Sequence, residues 1–472
     1  MYVLAQIVLA IALLWGIRLM GKTETARLGN RLAAASLLTA IVLVLGRSGT
    51  LNMPIILVSL AVGSAIGLIL ALRITMLQIP QMVALLNGLG GAASLLTALL
   101  AVAGGKGTGS LVGPAAGSMA VAVGGVTLGG SLVAAAKLHR LLPQQPVCAR
   151  ANRLIAPVLL VLLGLSVGMA IFPAGFGTMP GLMAVAVCAV AFGVFFALPV
   201  GGADMPITIS LLNAMSGIAA SVCGLVVDDA LLVAAGAIVG ATGLILTRVM
   251  CAAMNRSLFQ VLVGASATPT TEPVAGIATD ESAPPAATPA PGACGASAAF
   301  DPVECLLEAR RVVIVPGYGM ALGEAEALVR DLYEFLERRG VDVKFAIHPV
   351  AGRMPGHMTV LLADVDIPYD KMIQLDAINP EFAQTDVAIV VGACDVVNPA
   401  AITAKGTPIY GMPILHVHEA RRVIVCNADT QPGYSGIENP LYARDNVALL
   451  LGNAASTLDN LLKELELRGH QT

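Results

Sequence analysis

The sequence predicts two fold classes in one chain. A polytopic α-helical membrane bundle of about nine spans covers residues 1–264, and a doubly wound α/β domain covers 300–472. A flexible Ala/Pro-rich linker at 265–299 joins them. Three observations carry this reading. Charged residues make up 12% of the chain and hydrophobic ones 57%, half the soluble norm of roughly 25% charge. The deficit lies before residue 265, where apolar runs are long enough to cross a bilayer. From 265 to 299 the chain turns to Ala, Pro, Thr, Ser and Gly with no apolar periodicity, the composition of a tether. Behind it, short β-branched runs alternate with helical spacing, the pattern of a parallel sheet.

The spans fall near residues 2–20, 32–46, 51–72, 80–103, 110–136, 153–172, 180–198, 205–227 and 229–252. The first lacks a basic leader and a small-residue cleavage site, so it reads as a retained span. Arg18, Lys22, Arg27, Arg31, Arg73, Lys137, Arg140, Arg150, Arg153, Arg248 and Arg256 fall at joints on one side. Arg47 and Lys106 fall on the other, with Asp228 and Asp229. The positive-inside rule then puts the N-terminus outside and residues beyond 253 in the cytoplasm, where cellular nucleotides are. Small residues crowd the fourth span (Gly88, Gly90, Gly91) and the fifth (Gly117, Gly124, Gly125, Gly129, Gly130), and permit close helix contact.

Polar side chains inside spans are expensive. Asn87, Ser131 and Asn213 either face one another and hold a water chain, or act as interhelical glue. No histidine lies in any span; the nearest is His139, in a loop. Asp204 stands at the mouth of the eighth span, where a carboxylate caps a helix N-terminus.

In the α/β part, 312–316 reads as a buried strand, and Gly317 and Gly319 follow before helical spacing over 320–338. Such a turn lets the backbone approach a pyrophosphate, and the helix start offers it N–H groups. The spacing departs from GxGxxG, because Leu322 takes the third position and Gly323 comes one residue late. A plain tight turn fits these residues as well. Further strands are expected at 343–347, 386–393, 411–417, 422–426 and 449–451, with a closing helix over 454–467. Clusters of Gly, Pro, Asn and Asp fall at the strand ends, where ligands of such sheets sit. Arg353 is a fixed cation beside a glycine turn, suited to a phosphate or a carboxamide. Asp395 follows a strand and would accept from a cofactor group or titrate; either residue also reads as a surface ion. Tyr318 and Tyr434 would cover a cofactor or simply pack.

The segments GYGMA, HPVAGRMPGHM, DVVNPAA and GYSGIENPL resemble the nucleotide-binding domain III of the β subunit of proton-translocating nicotinamide nucleotide transhydrogenase. The resemblance runs through most of the chain. It implies a Rossmann-like domain holding NADP(H) through Gly317, Tyr318, Gly319, Met320, Ala321 and Arg353. Gly392, Asp395, Asn427, Asp429, Gly433 and Tyr434 complete the implied nucleotide site. Asn87, Ser131 and Asn213 match positions on the proton path of the family. Asp395 and Asp204 match acidic positions near the nicotinamide and at the membrane–domain junction, and both are candidates for catalysis and coupling. The implied partners are an α subunit carrying the NAD(H) domain and remaining membrane helices, and the lipid bilayer. A dimer of α–β units in a bacterial-type inner membrane is the implied setting.

Two departures stand out. Many members carry a histidine where this chain has Asn87, which cannot titrate near neutral pH. NADP-using members also show a Lys-Arg pair before the Gly-Tyr motif, gripping the 2′-phosphate. Here Asn427 and Ala428 stand in its place, followed by Asp429. A carboxylate near a ribose favours a 2′-hydroxyl, so NAD(H) stays open at this site unless Arg421, Arg422 or Lys405 compensates.

The leading function is therefore hydride transfer between NAD(H) and NADP(H), coupled to proton movement. A nucleotide-gated channel or transporter, and a β-like paralogue without turnover, are the alternatives. The eight scattered cysteines have no CxxC pair and read as reduced core residues. No zinc-spaced cluster or serine-hydrolase elbow occurs, so no metal is expected. A net charge of −3 gives no reason to propose nucleic acid as a partner.

Overall fold

A computed structural model of the chain describes residues 2–21, 25–47, 54–75, 78–105, 112–139, 141–143, 152–172, 178–201, 204–254, 257–263, 300–352, 356–405, 407, 409–433 and 435–469. The expected linker lies outside these residues. The chain forms two compact units, one helical and one α/β.

The helical unit contains α1 (Tyr2–Met20), α2 (Ala26–Arg47), α3 (Pro54–Arg73), α4 (Ile79–Ala103) and α5 (Val112–Leu138). It continues with α6 (Asn152–Ile171), α7 (Thr178–Ala197), α8 (Met205–Val227), α9 (Ala230–Ala253) and the short α10 (Leu258–Val263). Among the described residues, seven of these helices are long and apolar enough to cross a membrane, and apolar stretches of α1 and α6 are shorter. The second begins about two turns earlier than the apolar run suggests, because Gly16 and Gly29 bring α1 and α2 into backbone contact there. Polar Arg27, Asn30 and Arg31 sit on this early part, which is why hydropathy alone cut it short.

Glycine sets the helix crossings. A Cβ at Gly91 would come within 2.7 Å of the Gly124 carbonyl oxygen, so α4 and α5 meet backbone to backbone. Gly129 and Gly193 do the same between α5 and α7, and Gly217, Gly236 and Gly240 between α8 and α9. Without a hydrophobic drive between helices in lipid, this close van der Waals contact holds them. By contrast, α3 buries no residue.

The α/β unit is a six-stranded parallel sheet in the order β3-β2-β1-β4-β5-β6, the doubly wound, Rossmann-like order. Its strands are β1 (Arg311–Pro316), β2 (Asp342–Ile347), β3 (Met372–Gln374), β4 (Val387–Val391), β5 (Arg422–Asn427) and β6 (Val447–Leu451), and its helices are α11 (Pro302–Glu308), α12 (Tyr318–Leu322), α13 (Glu326–Arg338), α14 (His357–Asp364), α15 (Leu375–Ile378), α16 (Ala400–Thr403) and α17 (Ala454–Gly469). The central strand β4 is buried throughout, as a parallel strand covered on both faces must be. On one face, α13 (Glu326–Arg338) buries Val329, Leu332, Tyr333 and Leu336, one stripe at helical spacing. The closing helix α17 (Ala454–Gly469) packs beside it. On the other face Val313, Val315, Val390 and Val425 meet Phe382, Leu415 and Val417.

Three expectations are corrected. The helix expected over 320–338 is two helices, α12 (Tyr318–Leu322) and α13, because Gly323 ends the first and Glu324 takes a left-handed φ of 51°. The run 411–417 is not a strand. Pro413 has no N–H for a ladder, and Leu415 N donates to Val396 O while Asn379 and His348 hold the carbonyls of Ile414 and Pro413. Edge strand β3 was missed, since it is three residues long and follows a Pro-Tyr-Asp turn.

Candidate functional site

The order of the sheet reverses between β1 and β4, and the crevice beyond their carboxyl ends is where ligands of doubly wound folds sit. There the turn after β1 crosses the turn after β4. Gly317 N donates to Val391 O and Gly319 N to Gly392 O, each at 2.8 Å. A Cβ at Gly319 would lie 2.7 Å from the Cα of Gly392, which itself has φ +67°. These glycines are thus demanded by the crossing of two turns. The sequence assigned them to phosphate approach; the N–H groups of Gly317, Gly319 and Met320 bond within the protein. Met320 and Ala321 bury their side chains, so only their backbone can face a ligand. Tyr318 opens α12 half-buried, its ring 6.5 Å from that of His357, centre to centre.

Behind β4 and β5, two loops are laced together. Asp395 Oδ2 accepts from Ser435 N at 2.9 Å and its Oδ1 from Ser435 Oγ at 2.7 Å. Gly433 lies against that carboxylate, and a Cβ there would come within 2.7 Å of it. Asn398, fully buried, reaches the carbonyls of Ile437 and Glu438, and Asn439 Nδ2 returns to Cys394 O at 3.2 Å. The signal for both asparagines was the Asn-Pro pair, since an Asn in a turn bonds the backbone two residues on. Asn398 Oδ1 does so to Ala400 N, and Asn439 Oδ1 to Leu441 N.

Asn427 ends β5, buried. Its Nδ2 donates to Ala393 O at 2.9 Å and to Tyr442 Oη at 2.8 Å, while its Oδ1 is buried with no partner. Asp429 is exposed, with Oδ1 accepting from Gln431 N at 2.9 Å. Burial pushes the Cys426 thiol up to about 12 and raises Cys394 as well, so neither is a thiolate near neutral pH. Arg353 and Tyr434 lie outside the described residues.

His348, at the end of β2, supports the same face. Val350 N donates to its Nδ1 at 3.2 Å, so the proton sits on Nε2 and is donated to Pro413 O at 2.8 Å. Burial lowers its pKa to about 4, which keeps the ring neutral.

In the helical unit, Asn87, Ser131 and Asn213 lie on α4, α5 and α8, three helices that pack against one another. Asn87 Nδ2 donates to Ile209 O at 3.3 Å, one turn before Asn213. A Cβ at Gly88 would touch that of Ser131 at 3.0 Å, and Ser131 Oγ is buried with no partner. Asn213 is half-buried, and its carbonyl accepts from Ser216 Oγ. Asp204 is buried at the N-cap position of α8, but its side chain makes no capping bond.

One residue was undervalued by the sequence. Lys137 was counted as a joint cation, yet it is fully buried, with Nζ donating to Leu198 O and to Val200 O at 2.7 Å. It satisfies two carbonyls just past the end of α7.

With this geometry in view, the comparisons are decisive. The model of the NAD(P) transhydrogenase beta subunit family matches residues 2–464. The chain belongs to that family. Two proteins of Rhodospirillum rubrum, each named NAD(P) transhydrogenase subunit beta, are 37% identical to it over 476 residues, covering 98% of each chain. A family with this membrane composition places the chain among multi-pass membrane proteins. The α/β unit also fits a dinucleotide on its own terms, through the switch-point crevice and the orphaned Asn427 oxygen at the carboxyl end of β5.

Proposed function

We propose that this chain is the β subunit of a membrane transhydrogenase in which hydride transfer between two nicotinamide nucleotides is coupled to proton movement. The observation that carries it is the pair of laced loops set against the glycine crossing at the switch point, in a chain matched by the transhydrogenase family along almost its whole length. The bound nicotinamide ring supplies the hydride chemistry. The chain's own residues bind and orient it. The backbone around Gly317–Ala321 and Gly392 shapes the crevice, Arg353 and Tyr434 contact the nucleotide, and Asp395 fixes the loop that carries Gly433. NADP(H) is the family's expectation for this domain.

In the bundle, Asn87, Ser131 and Asn213 line the proton path, and Asp204 couples it to the nucleotide domain. Asn87 cannot carry a proton itself, so the path needs water or a titrating group from the α subunit. The proposed domains are 1–264, 265–299 and 300–472. The proposed assembly is a dimer of α–β units in a bacterial-type inner membrane, with the N-terminus outside and the nucleotide domain in the cytoplasm. Hydride exchange by the purified chain, assayed with and without its α partner, tests this reading. Exchange that requires the partner supports it. Solute flux gated by nucleotide without exchange supports a channel, and neither activity supports a paralogue without turnover.

A further inference from the structure

Resting on the nicotinamide-nucleotide reading above, we infer that the α/β site of this chain takes a dinucleotide with a free 2′-hydroxyl, NAD(H), in preference to one with a 2′-phosphate. The inference comes from where the sheet keeps its charges. The arginines that flank β1 and β5 stand at the amino ends of those strands, and Arg330, on α13, is paired with Asp331 and Glu334. Arg311 opens β1 and bonds Gln384, and its backbone N, with that of Arg310, donates to Asp386. Arg421 and Arg422 open β5, where Arg421 N donates to Thr385 O and the Arg422 guanidinium lies 4.8 Å from the ring centre of Phe300. From Arg422 to Asn427 the strand advances five residues, about 16 Å at ~3.3 Å each. That span exceeds the reach of an arginine side chain, so neither Arg421 nor Arg422 can serve a ligand at the carboxyl end. Lys344 and Lys371 are paired with Glu381 and Glu337.

The carboxyl end of β5 carries acceptors instead. The Asn427 Oδ1 is more than nine-tenths buried and has no donor. Two residues on, Asp429 presents an exposed carboxylate, and the Asp395 carboxylate lies across the same pair of loops. A hydroxyl has a hydrogen to give to such acceptors. A phosphate dianion has none, and two carboxylates nearby repel it. Ala428, between them, is exposed and offers no donor in its side chain.

The test is a titration of the full-length chain in detergent with NADH and with NADPH at equal ionic strength, read by nucleotide fluorescence. NADH is expected to bind at least tenfold more tightly. Asp429→Asn removes one carboxylate and should narrow the ratio, and Ala428→Arg, at an exposed position, should raise NADPH affinity about tenfold while NADH changes little. NADPH binding more tightly to the unaltered chain overturns the inference, and loss of that preference in Arg353→Ala or Lys405→Ala would name the cation responsible. Binding of neither nucleotide to a folded chain overturns the nucleotide reading itself, and this inference with it.

Discussion

In the helical unit, Gly91 and Gly124 bring two helix backbones into contact; in the α/β unit, Gly319 and Gly392 do so for two turns. The packing device is shared, and the surrounding polar groups are tied more densely in the sheet, although Asn427 Oδ1 is left open there as Ser131 Oγ is in the bundle. Around the glycine crossing of the sheet, Asp395, Asn398 and Asn439 are tied to named backbone and side-chain partners. Around the crossing of α4 and α5, Ser131 Oγ is left buried without one. The difference teaches what each region is built to do. Loops tied at Asp395, Asn398 and Asn439 fix a shape for a ligand and leave the Asn427 Oδ1 open to it. A polar atom left open inside a helical bundle costs about 1–3 kcal/mol, which is the cost the proposed proton path would have to offset.

The harshest way to break this comparison is to fill the glycines. Gly319→Val forces a side chain onto Gly392, and the sheet should lose both its nucleotide affinity and roughly 3 kcal/mol or more of stability. Thermal unfolding alongside a binding titration checks this. Affinity lost with stability intact would support the phosphate-approach role given to Gly319 by the sequence. In the bundle, Gly129→Leu should disrupt packing against Val190 to a similar degree. Gly67→Ala in α3, with nothing within 4 Å, should be neutral or slightly stabilising in the same assay.

A second test concerns pH. The His348 pKa falls from 6.5 unfolded to about 4 folded, so the unfolded chain binds the extra proton first. Its contribution is complete above pH 6.5 and is lost as pH drops towards 4, a change of roughly 3 kcal/mol. His348→Gln should flatten that part of the stability profile of the α/β unit. An unchanged slope would remove His348 from the account.

The smallest expected effect sharpens the lacing. Ser435→Ala removes one bond to Asp395 and keeps the one from the backbone, at a cost of about 1 kcal/mol. Faster proteolysis of the 431–439 loop should report it, and equal rates would mean that the hydroxyl does not hold the loop.

These contrasts also show what was legible in the chain. Among the described residues, hydrophobic runs located α1 to α9 and five of the six strands, because burial on both faces leaves a β-branched run that needs no context. The strand assigned to 411–417 failed for the same reason in reverse: Ile414, Leu415 and Val417 are buried, but in a segment held by His348 and Asn379. Local pattern reports burial, and only tertiary contacts decide which backbone groups pair. Likewise the glycines of the site were found from their spacing, whereas their closest neighbour, Gly392, is over seventy residues away and had no local signature. The place of Arg421 and Arg422 at the wrong end of β5 followed only from strand direction.

The central claim is that the two regions work as one machine. The complex with its α subunit, reconstituted into sealed vesicles, tests it by following hydride exchange between the two nucleotides and internal pH together. The account predicts that protons cross as hydride transfer proceeds, and that Asp204→Asn slows both while nucleotide affinity is unchanged. Hydride exchange at full rate with no proton movement would contradict it.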